Sequence, residues 1–335
     1  MQRAGHEANI GPWVNLSRRS GAKLSWWYPG ADGSAGELSE LEQILTKDTK
    51  IVALCHVSNL LGEIIDLPTI VKLVRSRAAR DCQIVVDGVA YAPHRPIKVS
   101  EWGVDWYVFF IFIWAIGVTA CFVYRYAFSP YKVYGPHVGA LFGSAKALEL
   151  VTGPNHYFID PREVPYKFEL GGCSHEACAG LVAMVSFCSS NFSLFSTDGR
   201  LKDFYVVCAQ GGYLRRLVTG VTPNDPTLDR TPNDLNIAGD FDPTRKECVA
   251  ACEYMTRLEQ TPQTVLIGYL SRMHRQGFIR VIGPLTDDPN VRVPTFSFVP
   301  TTGGISVASV VAAAHSAKIA IRYVYLYSRM YGQLG

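Results

Sequence analysis

Two short apolar runs stand out early in the chain. Ile51-Val52-Ala53-Leu54-Cys55 closes on His56-Val57-Ser58-Asn59, and Gln83-Ile84-Val85-Val86 closes on Asp87-Gly88. Unbroken β-branched runs of this length mark strands buried on both faces of a parallel sheet. Between them, Leu67, Ile70, Val71 and Val74 recur at helical spacing over Leu67 to Ala79. Pro68 falls in the first turn of that helix, where its missing N–H costs nothing. A strand-helix-strand unit results, and a third strand is predicted over Asp105 to Phe109. Past Glu149 the chain is irregular and rich in Gly and Pro to about residue 180. A helix is predicted from Thr244 to Gln276, and strands over Ile279 to Gly283 and Val293 to Val299. An alanine-rich helix, Val307 to Ala317, is predicted to pack on those two strands. No internal repeat or low-complexity tract is visible.

This order of elements predicts an α/β fold. In open sheets of that class, ligands bind just beyond the carboxyl ends of the strands. Ser58, Asn59 and Asp87 occupy those ends, so they are the first candidates for a site.

Composition narrows the picture. With 335 residues the chain holds one large domain and a smaller one. A net charge of +3 and a charged fraction of 18% give no basis for a nucleic-acid or anionic-membrane partner. The nine cysteines form no CxxC pair and no zinc-like cluster. Cys248 and Cys252 share a predicted helix face, a spacing more typical of packing than of metal binding. Scattered thiols in apolar surroundings fit a reducing compartment. Met1 to Glu7 carries no signal-peptide pattern, so a cytoplasmic location is expected. Trp106 to Tyr126 departs from this picture. It carries no charge between Trp106 and Tyr124, and it is long and apolar enough to qualify as a membrane-crossing helix.

Four ordered blocks carry a more specific signal. His6-Glu7-Ala8-Asn9-Ile10-Gly11-Pro12-Trp13, His56-Val57-Ser58-Asn59-Leu60-Leu61-Gly62, Val86-Asp87-Gly88 and Ser129-Pro130-Tyr131-Lys132-Val133-Tyr134-Gly135-Pro136 succeed one another along the chain. Their pattern and order resemble the pyridoxal-phosphate-dependent class V aminotransferase and cysteine desulfurase family. The resemblance implies an aspartate-aminotransferase-like large domain, with a mainly parallel sheet flanked by helices, and a smaller α+β C-terminal domain. It implies a large domain over residues 1–255, incomplete at its N-terminus, and a truncated small domain over 256–335.

Such a cofactor needs a lysine for the Schiff base, a carboxylate on the pyridine nitrogen, a ring-stacking partner and phosphate donors. Carried onto the matching positions, the resemblance implies that Lys132 forms the Schiff base with pyridoxal 5'-phosphate. Asp87 pairs with the pyridine nitrogen, His6 stacks on the ring, Asn59 contacts the ring oxygen and Ser129 contacts the phosphate. Ile319-Ala320-Ile321-Arg322-Tyr323 is similar to a further block of the family, which makes Arg322 the partner of a substrate carboxylate. The implied activity is a transformation of an amino acid by a homodimer, of transaminase, lyase or epimerase type. Each residue has a plainer role open to it. The plainer readings are a solvated loop lysine for Lys132, a turn residue for Asp87, a terminal residue for His6, a turn cap for Asn59 and a surface charge for Arg322, and the ordered blocks favour the functional roles of Lys132 and Asp87.

The chain also departs from the family's pattern. The family carries a long segment, with a phosphate-holding turn, ahead of the block that begins here at His6. Phe110 to Phe128 stands where the family passes directly from the third strand to the serine before the lysine. A membrane span there would place Asp87 and Lys132 on opposite sides of a bilayer, so a membrane role is disfavoured and a translated intron is the preferred reading. A second inserted stretch runs from Met184 to about Gln210. Tyr327 stands where desulfurases of the family carry their nucleophilic cysteine, Ala90 where they carry a glutamine, and Tyr131 where a histidine often precedes the lysine. Persulfide chemistry by that route is therefore not expected. The alternatives to an active enzyme are a catalytically inactive, mis-spliced or incomplete member of the family and a membrane-tethered protein.

Overall fold

The computed structural model describes residues 1–30, 33–109, 140–153, 157–164, 166–168, 175–176 and 245–322. Lys132, Ser129, Tyr131, Tyr327 and the two inserted stretches lie outside the described residues. The chain divides into two compact units. One comprises Met1–Tyr91, Ser100–Val104 and Leu258–Gly335, and the other Ala92–Val99 and Asp105–Arg257.

In the first unit, Ile51–Cys55 (β1) and Gln83–Asp87 (β2) pair in parallel, with Cys55 opposite Asp87 at the carboxyl end. Leu67–Arg77 (α3, after Glu7–Ser20, α1, and Leu38–Ile44, α2) supplies the crossover. Its buried residues are Leu67, Ile70, Val71 and Val74, the four that the helical spacing selects. The helix starts where it does because Asp66 caps it, its Oδ1 accepting from the Thr69 N–H at 3.1 Å. Fold class and strand-helix-strand unit are thus α/β, as the sequence predicts. One detail differs. Val52 to Cys55 are buried throughout β1, but in β2 only Ile84 and Val86 are, while Gln83, Val85 and Asp87 are half-buried. The second face of β2, with Asp87 at its end, is only partly covered.

The N-terminal segment lies along β1. Gln2 donates its N–H to the Ala53 carbonyl at 3.0 Å, and its side-chain oxygen accepts from the Cys55 N–H at 2.7 Å. Asn9, in α1, donates to the Leu54 carbonyl at 3.0 Å. These bonds satisfy an edge of β1 that would otherwise be left open.

The C-terminal part of the same unit holds Ile279–Ile282 (β5) and Ser297–Pro300 (β6), an antiparallel pair. The strand predicted over Val293 to Val299 is therefore shorter and later than its alternating pattern suggests. Pro294 cannot donate to a ladder, and the carbonyls of Val293 and Thr295 are taken by Arg292 instead. The alanine-rich helix forms at Val307–Ser316 (α7), but it buries no residue. Its expected packing on β5 and β6 is not observed, because small side chains offer little apolar area to bury. The long helix appears as Arg245–Arg275 (α6).

In the second unit, Trp106–Phe109 (β3) and Ala140–Gly143 (β4) pair antiparallel, with Tyr107 fully buried. Ala145–Leu150 (α5) follows, capped by Ser144, while Val99–Trp102 (α4) falls almost entirely in the first unit. Among the described residues, no helix is long and apolar enough to cross a membrane, and no group of His, Cys, Asp or Glu is placed to hold a metal ion. The apolar segment extends through residues 110–126, outside that search.

If α3 is held to the sheet by its apolar stripe, Ile70→Ala should lower the unfolding free energy by about 2–5 kcal/mol. Lys72→Ala, on the exposed side of the same helix, should change it little. Urea denaturation midpoints of the two variants check this.

Candidate functional site

Because β1 and β2 end in register, the residues that follow them emerge together. The His56 N–H donates to the Asp87 carbonyl at 2.8 Å, extending the ladder one step past the strands. The chain then turns tightly. Gly62 donates its N–H to the Ser58 carbonyl at 2.9 Å. The buried Ser58 hydroxyl donates to the Ala4 carbonyl at 2.7 Å and accepts from Leu60 and Leu61 at 3.4 and 3.3 Å.

Ser58, not Asn59, therefore caps this turn. Asn59 is half-buried, and its side-chain oxygen is buried with no hydrogen-bond partner. An unpaired buried acceptor costs about 1–3 kcal/mol, so such atoms persist mainly where a ligand completes them. Rotating the amide presents its NH2 instead, so the position serves either an acceptor or a donor on a ligand.

Asp87 closes β2. Its Oδ1 accepts from the Val89 N–H at 3.0 Å, which fixes the carboxylate in the turn before Val89. His6 is the N-cap of α1, and its Nδ1 accepts from the Ala8 N–H at 3.1 Å. That bond holds the ring half-buried and places the proton of the neutral form on Nε2. His6, Asn59 and Asp87 thus lie at the carboxyl-end side of the β1–β2 pair, His6 on the segment that runs beside β1. Arg322 is exposed and is the last described residue. The structure brings it into no hydrogen bond or ion pair with these three.

A side-chain cluster that sequence reasoning missed supports this end of the sheet. His56 is 3% exposed and stacks on Tyr91 with ring centroids 3.8 Å apart and planes 9° from parallel. Trp102 meets both rings edge-on, at 4.7 Å from His56 and 5.5 Å from Tyr91. Burial pushes the His56 pKa down to about 3, so the imidazole is neutral at physiological pH. His56 stood within a motif block, but nothing in the sequence tied it to Tyr91 and Trp102.

A cavity of about 610 Å³ opens at the opposite end of β1, lined by Met1, Trp13, Leu16, Leu41, Ile44 and Lys50 among others. None of His6, Asn59 and Asp87 lines it. The strand-end cluster, with its converging polar groups, is the better candidate site.

Paired parallel strands ending together, an aspartate on one and an asparagine turn on the other, place this chain in the α/β class. Residues 1–110 match the family model described as aminotransferase class-V. The aminotransferase-like protein FGM3 of Gibberella zeae is 33% identical over 187 residues, which is 56% of this chain and 41% of that protein. The cysteine desulfurase-like protein ustD of Aspergillus flavus is 34% identical over 177 residues, covering 51% of this chain and 36% of that protein. Among solved structures, a C-DES mutant with glycine covalently linked to its PLP cofactor shares the fold, with a TM-score of 0.54 and 15% identity. That match covers 94% of this chain and 64% of the other. Through its N-terminal part, the chain is similar to the class V aminotransferase, cysteine desulfurase-like family. It spans about two fifths of the length of the curated relatives given above.

The buried histidine makes a pH prediction. Above pH 6.5 the imidazole is neutral in both folded and unfolded chains, and stability is unaffected. Between 6.5 and about 3 the unfolded chain binds a proton that the folded one does not, so stability falls as pH falls. His56→Phe keeps the stacking and removes the proton site. Its acid slope should be shallower by up to about 1.4 kcal/mol per pH unit. Denaturant titrations of both chains across this window check it, and parallel curves would contradict a neutral His56.

Proposed function

We propose that this chain binds pyridoxal 5'-phosphate and acts on an amino acid, as a transaminase, lyase or epimerase, with Lys132 as the cofactor lysine. The observation that carries the reading is the buried, unpartnered side-chain oxygen of Asn59, presented just past the strand whose neighbour ends in Asp87. The residues present fit the cofactor. Asp87 offers a fixed carboxylate for the pyridinium nitrogen, Asn59 an unsatisfied amide for the ring oxygen and His6 an imidazole for the ring face. Ser129 is assigned to the phosphate and Arg322 to the substrate carboxylate, on the motif blocks they stand in.

When bound, the cofactor supplies an electron sink conjugated to the substrate amine. The chain's own residues set how well that sink works. Asp87 holds a proton on the ring nitrogen, since a carboxylate beside it stabilises the charged form. Asn59 would hydrogen-bond the ring oxygen, and His6 would shield a ring face from water. Lys132 would serve as the base that takes or returns the proton at the substrate's α-carbon. An arginine fork at Arg322 holds both carboxylate oxygens and so orients that α-carbon. Tyr327, where related desulfurases carry a nucleophilic cysteine, leaves the persulfide route without its thiol. By family, the working assembly is a homodimer in the cytoplasm.

Purified protein incubated with pyridoxal 5'-phosphate should develop a visible absorbance band that borohydride reduction fixes covalently, and Lys132→Ala should lose both. Absence of the band from the unsubstituted chain would sink the catalytic reading and favour a non-catalytic member of the family.

A further inference from the structure

The turn that presents Asn59 is held from its far side by the 284–296 segment, with Arg292 at the centre. Arg292 is fully buried, and its guanidinium donates to backbone carbonyls of several segments. Nη1 donates to the Pro284 carbonyl, and Nη2 donates to the carbonyls of Thr295 and, at 3.4 Å, of Leu61. Nε donates to its neighbour Val293 at 3.4 Å, and the group lies over the Phe296 ring, 4.2 Å from its centroid. Burial pushes its pKa down to about 10, opposed by the charge of Glu63, so it stays charged at neutral pH.

The backbone follows the same course. Val293 donates its N–H to the Gly62 carbonyl at 2.8 Å, and Ile64 donates to the Val291 carbonyl at 2.9 Å. Gly62 has φ +69°, and a Cβ there would clash with the Thr295 carbonyl oxygen. Only glycine permits both this conformation and this approach. Segments 58–64 and 284–296 are therefore locked together, with the guanidinium as the common donor. A planar fork reaches carbonyls lying in several directions at once, and a lysine ammonium, a single point of charge, does not.

We propose that Arg292 is a positioning residue for the cofactor: by tying Leu61 to Pro284 and Thr295, it fixes the turn that aims the Asn59 amide at the ring oxygen. This rests on the reading of the strand ends as a pyridoxal-phosphate site. Arg292 touches neither cofactor nor substrate and acts only through Asn59.

Arg292→Lys separates this role from a general structural one. In amide hydrogen exchange, Gly62, Ile64 and Val293 should lose protection while Ile84 and Val86 of β2 keep theirs. Pyridoxal 5'-phosphate should bind about tenfold more weakly, the size of one lost hydrogen bond to a charged group, with an absorbance band whose pH titration matches that of Asn59→Ala. A folded Arg292→Lys chain with the affinity and band titration of the unsubstituted protein would overturn the proposal. If that variant does not fold, exchange in the unsubstituted protein decides. Gly62, Ile64 and Val293 should open as one unit, and opening of Gly62 without Val293 would overturn the clamp. An unsubstituted chain that binds no cofactor but shows the coupled opening would refute the functional reading and leave the clamp standing.

Discussion

The register of β1 against β2 is the constraint from which the rest follows. Cys55 lies opposite Asp87, and the bond from the His56 N–H to the Asp87 carbonyl adds one more step to the ladder. Beyond that step the chain leaves the ladder, and its backbone groups find other partners. The Ser58 hydroxyl serves the turn itself and reaches Ala4, and the 291–295 segment bonds Gly62 and Ile64. One short pairing thus gathers the N-terminal segment, the asparagine turn and the C-terminal hub around a common end of the sheet.

The polar groups at this end are solved in different ways, and the differences separate scaffold from site. His56 is kept neutral and stacked between aromatic rings, so its burial costs no charge. Arg292 keeps its charge, and backbone carbonyls together with an aromatic face absorb it. Glu63, bridged to Arg292 along the backbone, adds a favourable field. Asn59 alone among these groups leaves a buried oxygen without a partner.

Much of this was legible in the sequence, for identifiable reasons. Continuous β-branched runs showed β1 and β2, and a four-residue apolar stripe showed the buried face of α3, because burial leaves a direct periodic trace. Motif blocks led to His6, Asn59 and Asp87, which the fold collects at one end of the sheet. Val293 to Val299 was misread because aromatic and β-branched residues alternate there, while the capture of its carbonyls by Arg292 leaves no local trace. The helix Val307–Ser316 formed as predicted but stayed exposed, since alanine content signals helix propensity and says little about packing. Arg292 was missed for a related reason: an arginine between two valines gives no sign that its partners lie at Leu61 and Pro284. Gly62 was the available clue, because a glycine following a short apolar turn often marks a close backbone approach.

The central claim is that pyridoxal phosphate binds at the strand ends, between Asp87 and the Asn59 turn, and not in the apolar cavity at the other end of β1. Nitrogen-15 NMR of the protein titrated with pyridoxal 5'-phosphate tests it most directly. The account predicts saturable shifts of the Asn59 side-chain amide and the Val89 backbone amide, with the Trp13 indole N–H unmoved. Shifts at Trp13 with Asn59 and Val89 unchanged would contradict it.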